Sequence, residues 1–380
     1  MRRPLAFFLF SGATACGVAT SDEPPLAPAP EQPDVPLIET AAPAVAPRVI
    51  SVGHMHAAAL DDAGHALCWG RGLAWNTEQP LEAAMHPTPC GRSDVRYTAI
   101  AAGDTRTCAI AASPQGRIDC WGTGASSLVV SEQETPGVAT AVAVGDFSSC
   151  AIFEGGSVEC WGSPAPRLDE PALELAMNGR LACARLASGA VSCWGNDEKH
   201  GAIDGSARVV GAKAIAVGFN HACAIAAGGD RDRIVCWGGN YYGQLGDGTS
   251  EDRHAPVSVV DDVLDRPVAV VAGVNTTCAL DVTGRVACWG WNSTGQIGDG
   301  ARAVPTQAKP GPLAPSGADR VTPVVVRGLS RAVTKISLGG YTAHATLSNG
   351  AVVGWGLNNL GQVGDGSKTD RTTPVVVRFP

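Results

Sequence analysis

The sequence predicts an all-β protein in which one hairpin module is repeated at the period of a β-propeller blade. The tripeptide Cys-Trp-Gly begins at Cys68, Cys120, Cys160, Cys193, Cys236 and Cys288, and a seventh copy reads Gly354-Trp355-Gly356. The Trp positions average about 48 residues apart, the repeat length of a propeller blade and not of a helical solenoid. Composition agrees: 47 Gly and 26 Pro among 380 residues, with only 17% charged, suit short strands and turns better than helices.

The chain opens with a basic Met1-Arg2-Arg3, an apolar run Leu5 to Phe10, and small residues Ala13-Thr14-Ala15 before Cys16. Residues 1–15 therefore read as an export signal, too short to span a bilayer as a helix. A Cys directly after the cleavage site resembles a bacterial lipoprotein signal, which makes Cys16 the expected lipid-bearing residue. Ala13 stands where such signals usually carry Leu, and ordinary secretion with cleavage near Ala15 is the alternative. Residues 16–48 hold eight prolines and no aromatic side chain, so they bury too little apolar area to offset their ordering entropy. This stretch is expected to be a partly polyproline tether.

From residue 49 to 380 the repeats fill the chain. The clearest copy runs Val270 to Leu280, turns through Gly284, and returns through Val286 to Gly290. Two short apolar runs about a Gly turn are a hairpin pattern, and strands apolar on both faces suit a blade packed between two others. A glycine stands five residues before the first Cys position of six copies: Gly53, Gly103, Gly145, Gly218, Gly273 and Gly339. The fourth copy has Asn178 there. Because Asn tolerates positive φ best after Gly, a left-handed backbone is expected at this place.

Thirteen cysteines suit an oxidising compartment or a metal. Cys108/Cys120, Cys150/Cys160, Cys183/Cys193, Cys223/Cys236 and Cys278/Cys288 each bracket one hairpin turn. The register that sets Leu280 against Val286 sets Cys278 against Cys288, within disulfide reach. Five within-blade disulfides are expected, each contributing about 2–3 kcal/mol. Ala58 replaces the first Cys of copy one and orphans Cys68; Cys90 is the remaining candidate for a sixth bridge. Copy seven loses both cysteines, to His344 and Gly354. Zinc is the rival reading, but no Cys-x-x-Cys occurs.

The longest repeated motif is Asn240 to Gly248, with Gly243-Gln244-Leu245-Gly246-Asp247-Gly248. It recurs at Asn292–Gly300 and Asn358–Gly366, followed by Pro256 to Val259, Pro323 to Val326 and Pro374 to Val377. Blades one to four are degenerate; 196–205 is an eroded copy. These residues resemble the repeats of the regulator of chromosome condensation family, across roughly 49–380. The resemblance implies a seven-bladed β-propeller. Closure is expected by strand exchange, with Pro374 to Val377 completing the first blade.

Chemistry-bearing patterns are sparse. The Gly-rich loop lacks a P-loop Lys and the alternating acids of a calcium loop. His54-Met55-His56 has metal-compatible alternation, but His56 aligns with His221 as a packing residue. No nucleophile–base motif is present, so no enzymatic activity, cofactor or metal is expected. The off-pattern aromatics Trp75, Tyr241, Tyr242 and Trp291 sit in or beside loops at one end of the ring, where they form a candidate binding face or pad against neighbouring loops. A net charge of −8 argues against a nucleic-acid partner.

The reading that combines these features is a monomeric, non-enzymatic scaffold in a bacterial envelope. It would meet the membrane only through a lipid anchor and bind a protein through one propeller face, or be secreted. The resemblance implies two alternatives: a guanine-nucleotide exchange regulator like the family's founding member, and a secreted enzyme inhibitor that caps its target with one face. An exchange factor acting on chromatin fits poorly with an export signal, disulfides and an acidic charge.

Overall fold

A computed structural model of the chain describes residues 49–71, 84–122, 137–146, 148–162, 164–195, 209–302 and 318–379. The export signal, Cys16, the tether and Trp75 lie outside the described residues. Within them the protein forms seven antiparallel sheets in chain order, the seven-bladed propeller expected.

Each blade runs outward from the axis. Blade one consists of Val49–Val52, His56–Leu60, Ala66–Gly70 and Ala84–Pro89, paired in that order. Blades five, six and seven also have four strands, and blades two, three and four have three among the described residues. The second strand of a blade is buried along its length, as in Cys278-Ala279-Leu280, because a blade on either side removes both faces from water.

The hairpin register is the one expected. Cys278 lies opposite Cys288 and Leu280 opposite Val286. All five within-blade disulfides form, with Cα atoms 4.0 to 4.1 Å apart. Cys68 bonds to Cys90, just past the outer strand of blade one. The sulfurs of blade six face the next blade: Cys278 and Cys288 share a core with Ala343, Leu338 and Trp355 of blade seven.

Two expectations are corrected. Closure is not by strand exchange. The terminal strand, Arg371–Val376, pairs with Val352–Gly356 inside blade seven, and Ala84–Pro89 supplies blade one with its own outer strand. Blades one and seven are each complete in themselves, so no strand is left over to lend. Pro87 occupies the register of Pro256, Pro323 and Pro374, three residues beyond the residue paired to each Trp-Gly glycine. Proline suits an outer strand, whose free side needs no N–H donor.

The second correction concerns the glycines before each hairpin. Gly53, Gly103, Gly145, Gly218, Gly273 and Gly339 are not among the glycines with positive φ. They are required by proximity instead. A Cβ on Gly103 would lie 2.6 Å from the carbonyl oxygen of Gly145 in the next blade, and one on Gly145 would lie 2.5 Å from that of Gly179. The inner turns touch backbone to backbone around the axis, as in His54 N–H to Gly103 O at 3.1 Å and Val274 N–H to Gly340 O at 2.9 Å. Left-handed backbone falls one residue later, at Gly179 and Gly340, and only in blades four and seven.

The long Gly-rich loop carries the ring's closure. Asn358 is fully buried; its side-chain oxygen accepts from Val363 N–H at 2.9 Å, and its amide donates to Asp365 at 3.1 Å. Asp365 in turn accepts from Arg371 Nε at 2.7 Å. Burial alone would raise the Asp365 pKa, but hydrogen bonds from Ser367 and Arg371 outweigh it and hold the carboxyl below its usual range. So organised, the loop presents Gln362 O to Trp69 Nε1 at 2.8 Å, joining blade seven to blade one. The same clamp joins Gln244 to Trp289 and Gln296 to Trp355. A motif with the look of a phosphate loop is therefore an interblade latch, its donors and acceptors turned inward.

Candidate functional site: an aromatic ridge ending at the axial mouth

Two kinds of loop emerge at the same end of the propeller. The inner turns surround the axis, and the segments after each Trp-Gly strand lie outside them, held by bonds such as Trp291 N–H to Asn275 O at 2.9 Å. This geometry gathers aromatic residues from blades five, six, seven and one. Tyr241 packs edge-on to Tyr242, centroids 4.9 Å apart. Tyr242 stacks on Trp291 at 5.1 Å and 25°. Trp291 meets the edge of Tyr341 at 4.9 Å, and Tyr341 meets His54 at 5.2 Å. Three of the residues singled out from sequence, Tyr241, Tyr242 and Trp291, are thus brought together. They pad one another and remain part-exposed, with Tyr241 38% accessible.

The ridge ends where His54 Nδ1 lies 3.5 Å from Asp104. Beside them stands Asp146, whose pKa is raised by burial and then by the Asp104 charge. Together with backbone from the glycine turns, these side chains line a polar mouth of about 50 Å³. Burial raises the Tyr341 phenol, with a smaller contribution from Tyr242; burial likewise raises Tyr242. Phe219, 45% exposed, lies over Gly179 at the same ring.

Sequence reasoning missed Tyr341, Asp104, Asp146 and Phe219. The signal was present: aligned on the repeated inner turn, His54, Asp104, Asp146, Gly179, Phe219, Val274 and Gly340 share the second place. One residue per blade at such a place must form a ring.

Two buried histidines, His56 and His221, hold neighbouring blades together. His56, fully buried, pairs with Thr107 Oγ1 at 2.7 Å. His221 Nε2 lies 2.9 Å from Thr277 Oγ1, and the Thr277 hydroxyl donates to Gln244 O at 2.8 Å. Burial pushes both imidazoles down to about 3 and His344 to about 4, so all three are neutral at pH 7. No group of three or more His, Cys, Asp or Glu with metal-binding geometry occurs among the described residues.

Residues 232–280 match the regulator of chromosome condensation (RCC1) repeat, and residues 212–244 and 268–296 match a second form of it. Residues 212–296 of this propeller are thus similar to RCC1 repeats. Among known proteins it is similar to the ultraviolet-B receptor UVR8 of Arabidopsis thaliana, 27% identical over 363 residues, which are 91% of this chain and 73% of that protein. It is also similar to the probable E3 ubiquitin-protein ligase HERC3 of Homo sapiens, 33% identical over 132 residues. That match spans 34% of this chain and 11% of the ligase. Among solved structures, Prp20p of Saccharomyces cerevisiae superposes with a TM-score of 0.53 at 19% identity, over 87% of this chain and 76% of that one. At that identity the likeness speaks to fold alone. The matched span, 212–296, holds the latch of blade five and the start of that of blade six; blade seven carries the same latch outside it.

Proposed function

We propose that this RCC1-repeat propeller is a non-enzymatic binding scaffold outside the cytoplasm, tethered through a lipid on Cys16, that docks a protein partner on the aromatic ridge. The observation that carries the reading is the ridge itself. Large aromatic side chains, immobilised by one another on a rigid ring, offer contact area at little further entropic cost, which is how binding hot spots are built. The six disulfides support an oxidising location, since reducing compartments keep such thiols open. Prp20p is described by its binding to Gsp1p and histones, an instance of a propeller of this kind whose work is binding. Residues 1–15 act as the signal, 16–48 as the spacer and 49–380 as the displayed domain.

The test is capture from envelope extracts by the wild type, Tyr242→Ala and Trp291→Ala. A defined protein held by the wild type and lost from both variants is the expected result. The same proteins held by all three would remove the ridge from the account. Labelling with radioactive palmitate, in wild type and Cys16→Ser, tests the tether separately; equal labelling would refute it.

A further inference from the structure

His56, Arg106 and His221 hold the same place in blades one, two and five. Each follows an inner turn and lies opposite the glycine of its own Trp-Gly pair, Gly70, Gly122 and Gly238. At the seam of blades five and six, His221 Nε2 meets Thr277 Oγ1 at 2.9 Å, and Thr277 Oγ1 and Trp289 Nε1 both donate to Gln244 O, at 2.8 and 2.9 Å. Thr277 and Trp289 are a cross-strand pair, and Ser149 and Trp161 form the same pair at the seam of blades two and three. There Arg106 Nη1 donates to Ser149 Oγ at 3.4 Å, and Trp161 packs on the core around Cys108 and Cys120. The framework that grips a carbonyl oxygen between blades five and six is thus repeated between blades two and three, with arginine in the place of a neutral histidine.

Arginine changes what the framework can hold. Arg106 is 9% exposed and makes no ion pair with a described residue. Burial lowers its pKa, and no carboxylate raises it. Asp104 and Asp146, close in sequence, line the axial mouth instead. A cation so buried is costly until an anion meets it. Arg106 Nε is sealed from water without a partner. Arg106 Nη2 and Trp161 Nε1 also lack hydrogen-bond partners among the described residues, but neither is sealed. Trp161 is part-exposed, whereas Trp69, Trp237, Trp289 and Trp355 are at most 1% exposed. Two N–H donors, one of them charged, are therefore open to a ligand at this seam.

We propose that the seam of blades two and three binds a small organic carboxylate. One oxygen takes the place that Gln244 O holds at the sister seam and accepts from Trp161 Nε1. The other accepts from Arg106 Nη2, an arrangement suited to the planar guanidinium, which Ser149 Oγ orients. The aromatic ridge belongs to other blades, so this site stands or falls independently of the protein partner.

The test follows the indole N–H resonances of the purified, isotopically labelled chain while acetate is added at constant ionic strength, with acetamide as the uncharged probe of the same size. The Trp161 resonance is identified by its loss in Trp161→Phe. It is expected to shift saturably with acetate, and acetamide to bind roughly tenfold or more weakly, as befits the loss of a hydrogen bond between charged groups. Arg106→His installs the residue that blades one and five use, with Arg106→Gln as the second variant. Whichever keeps the other indole resonances in place should bind acetate about tenfold or more weakly than the wild type. Absence of a saturable Trp161 shift, equal binding of acetamide, or undiminished acetate binding in a folded Arg106 variant would overturn the site. So would acetate binding that appears only in Glu132→Gln with Glu134→Gln, because Arg106 would then serve a carboxylate of the chain's own 123–136 segment.

Discussion

Replacing Asn358 by alanine removes the keystone of the latch that closes the ring. The side chain is fully buried, with one accepting bond at its oxygen and the two amide protons shared among three acceptors. It accepts from Val363 N–H at 2.9 Å and donates to Asp365 at 3.1 Å, Ser367 O at 3.1 Å and Thr369 O at 3.0 Å. A net hydrogen bond is worth about 1 kcal/mol, and a buried group left unpaired costs more. Asp365 keeps Arg371, so not every partner is orphaned. The expected loss is about 3–4 kcal/mol, a large part of the roughly 5–15 kcal/mol that holds a domain together. Urea denaturation followed by tryptophan fluorescence, with disulfides oxidised, reads it directly. Asn240→Ala and Asn292→Ala, made in the same motif, provide the comparison. At Asn358 the damage also loosens Gln362 from Trp69, one of the bonds between the last blade and the first, so its effect should at least equal theirs. A loss below about 1 kcal/mol would show that the motif is not what closes the propeller.

Two further predictions follow from burial. His56, His221 and His344 have folded pKa values of about 3, 3 and 4, against the ordinary 6.5. Below pH 6.5 the unfolded chain takes up protons that the native state refuses, so their stabilisation is complete above 6.5 and is lost progressively down to the folded values. Each histidine contributes a slope of up to about 1.4 kcal/mol per pH unit. The urea midpoint should drop steeply between pH 6 and 4.5, and less steeply in His221→Gln; a flat profile contradicts the burial of neutral imidazoles. At Gly103, alanine should destabilise by about 1–3 kcal/mol through the clash with Gly145 O. Asparagine should be no better than alanine in the same thermal melt, because φ is not the constraint; rescue by asparagine would restore the left-handed reading.

The blade count, the hairpin register and all six disulfides were legible in the sequence. Each rests on local spacing: a strand alternates with period two, so residues equidistant from a turn must face one another, as Cys278 faces Cys288. Tyr241, Tyr242 and Trp291 were visible as aromatics out of step with the repeat. Three matters required the tertiary structure. Closure of the ring is decided by contacts 293 residues apart, between Gln362 and Trp69, which no local pattern encodes. The need for glycine at position 103 comes from the carbonyl of a neighbouring blade, a steric fact of the circle and not of the chain's own dihedrals. The ridge from Tyr241 to His54 exists only because curvature brings one loop per blade to a common mouth, so residues distant in sequence become neighbours at one end of the axis.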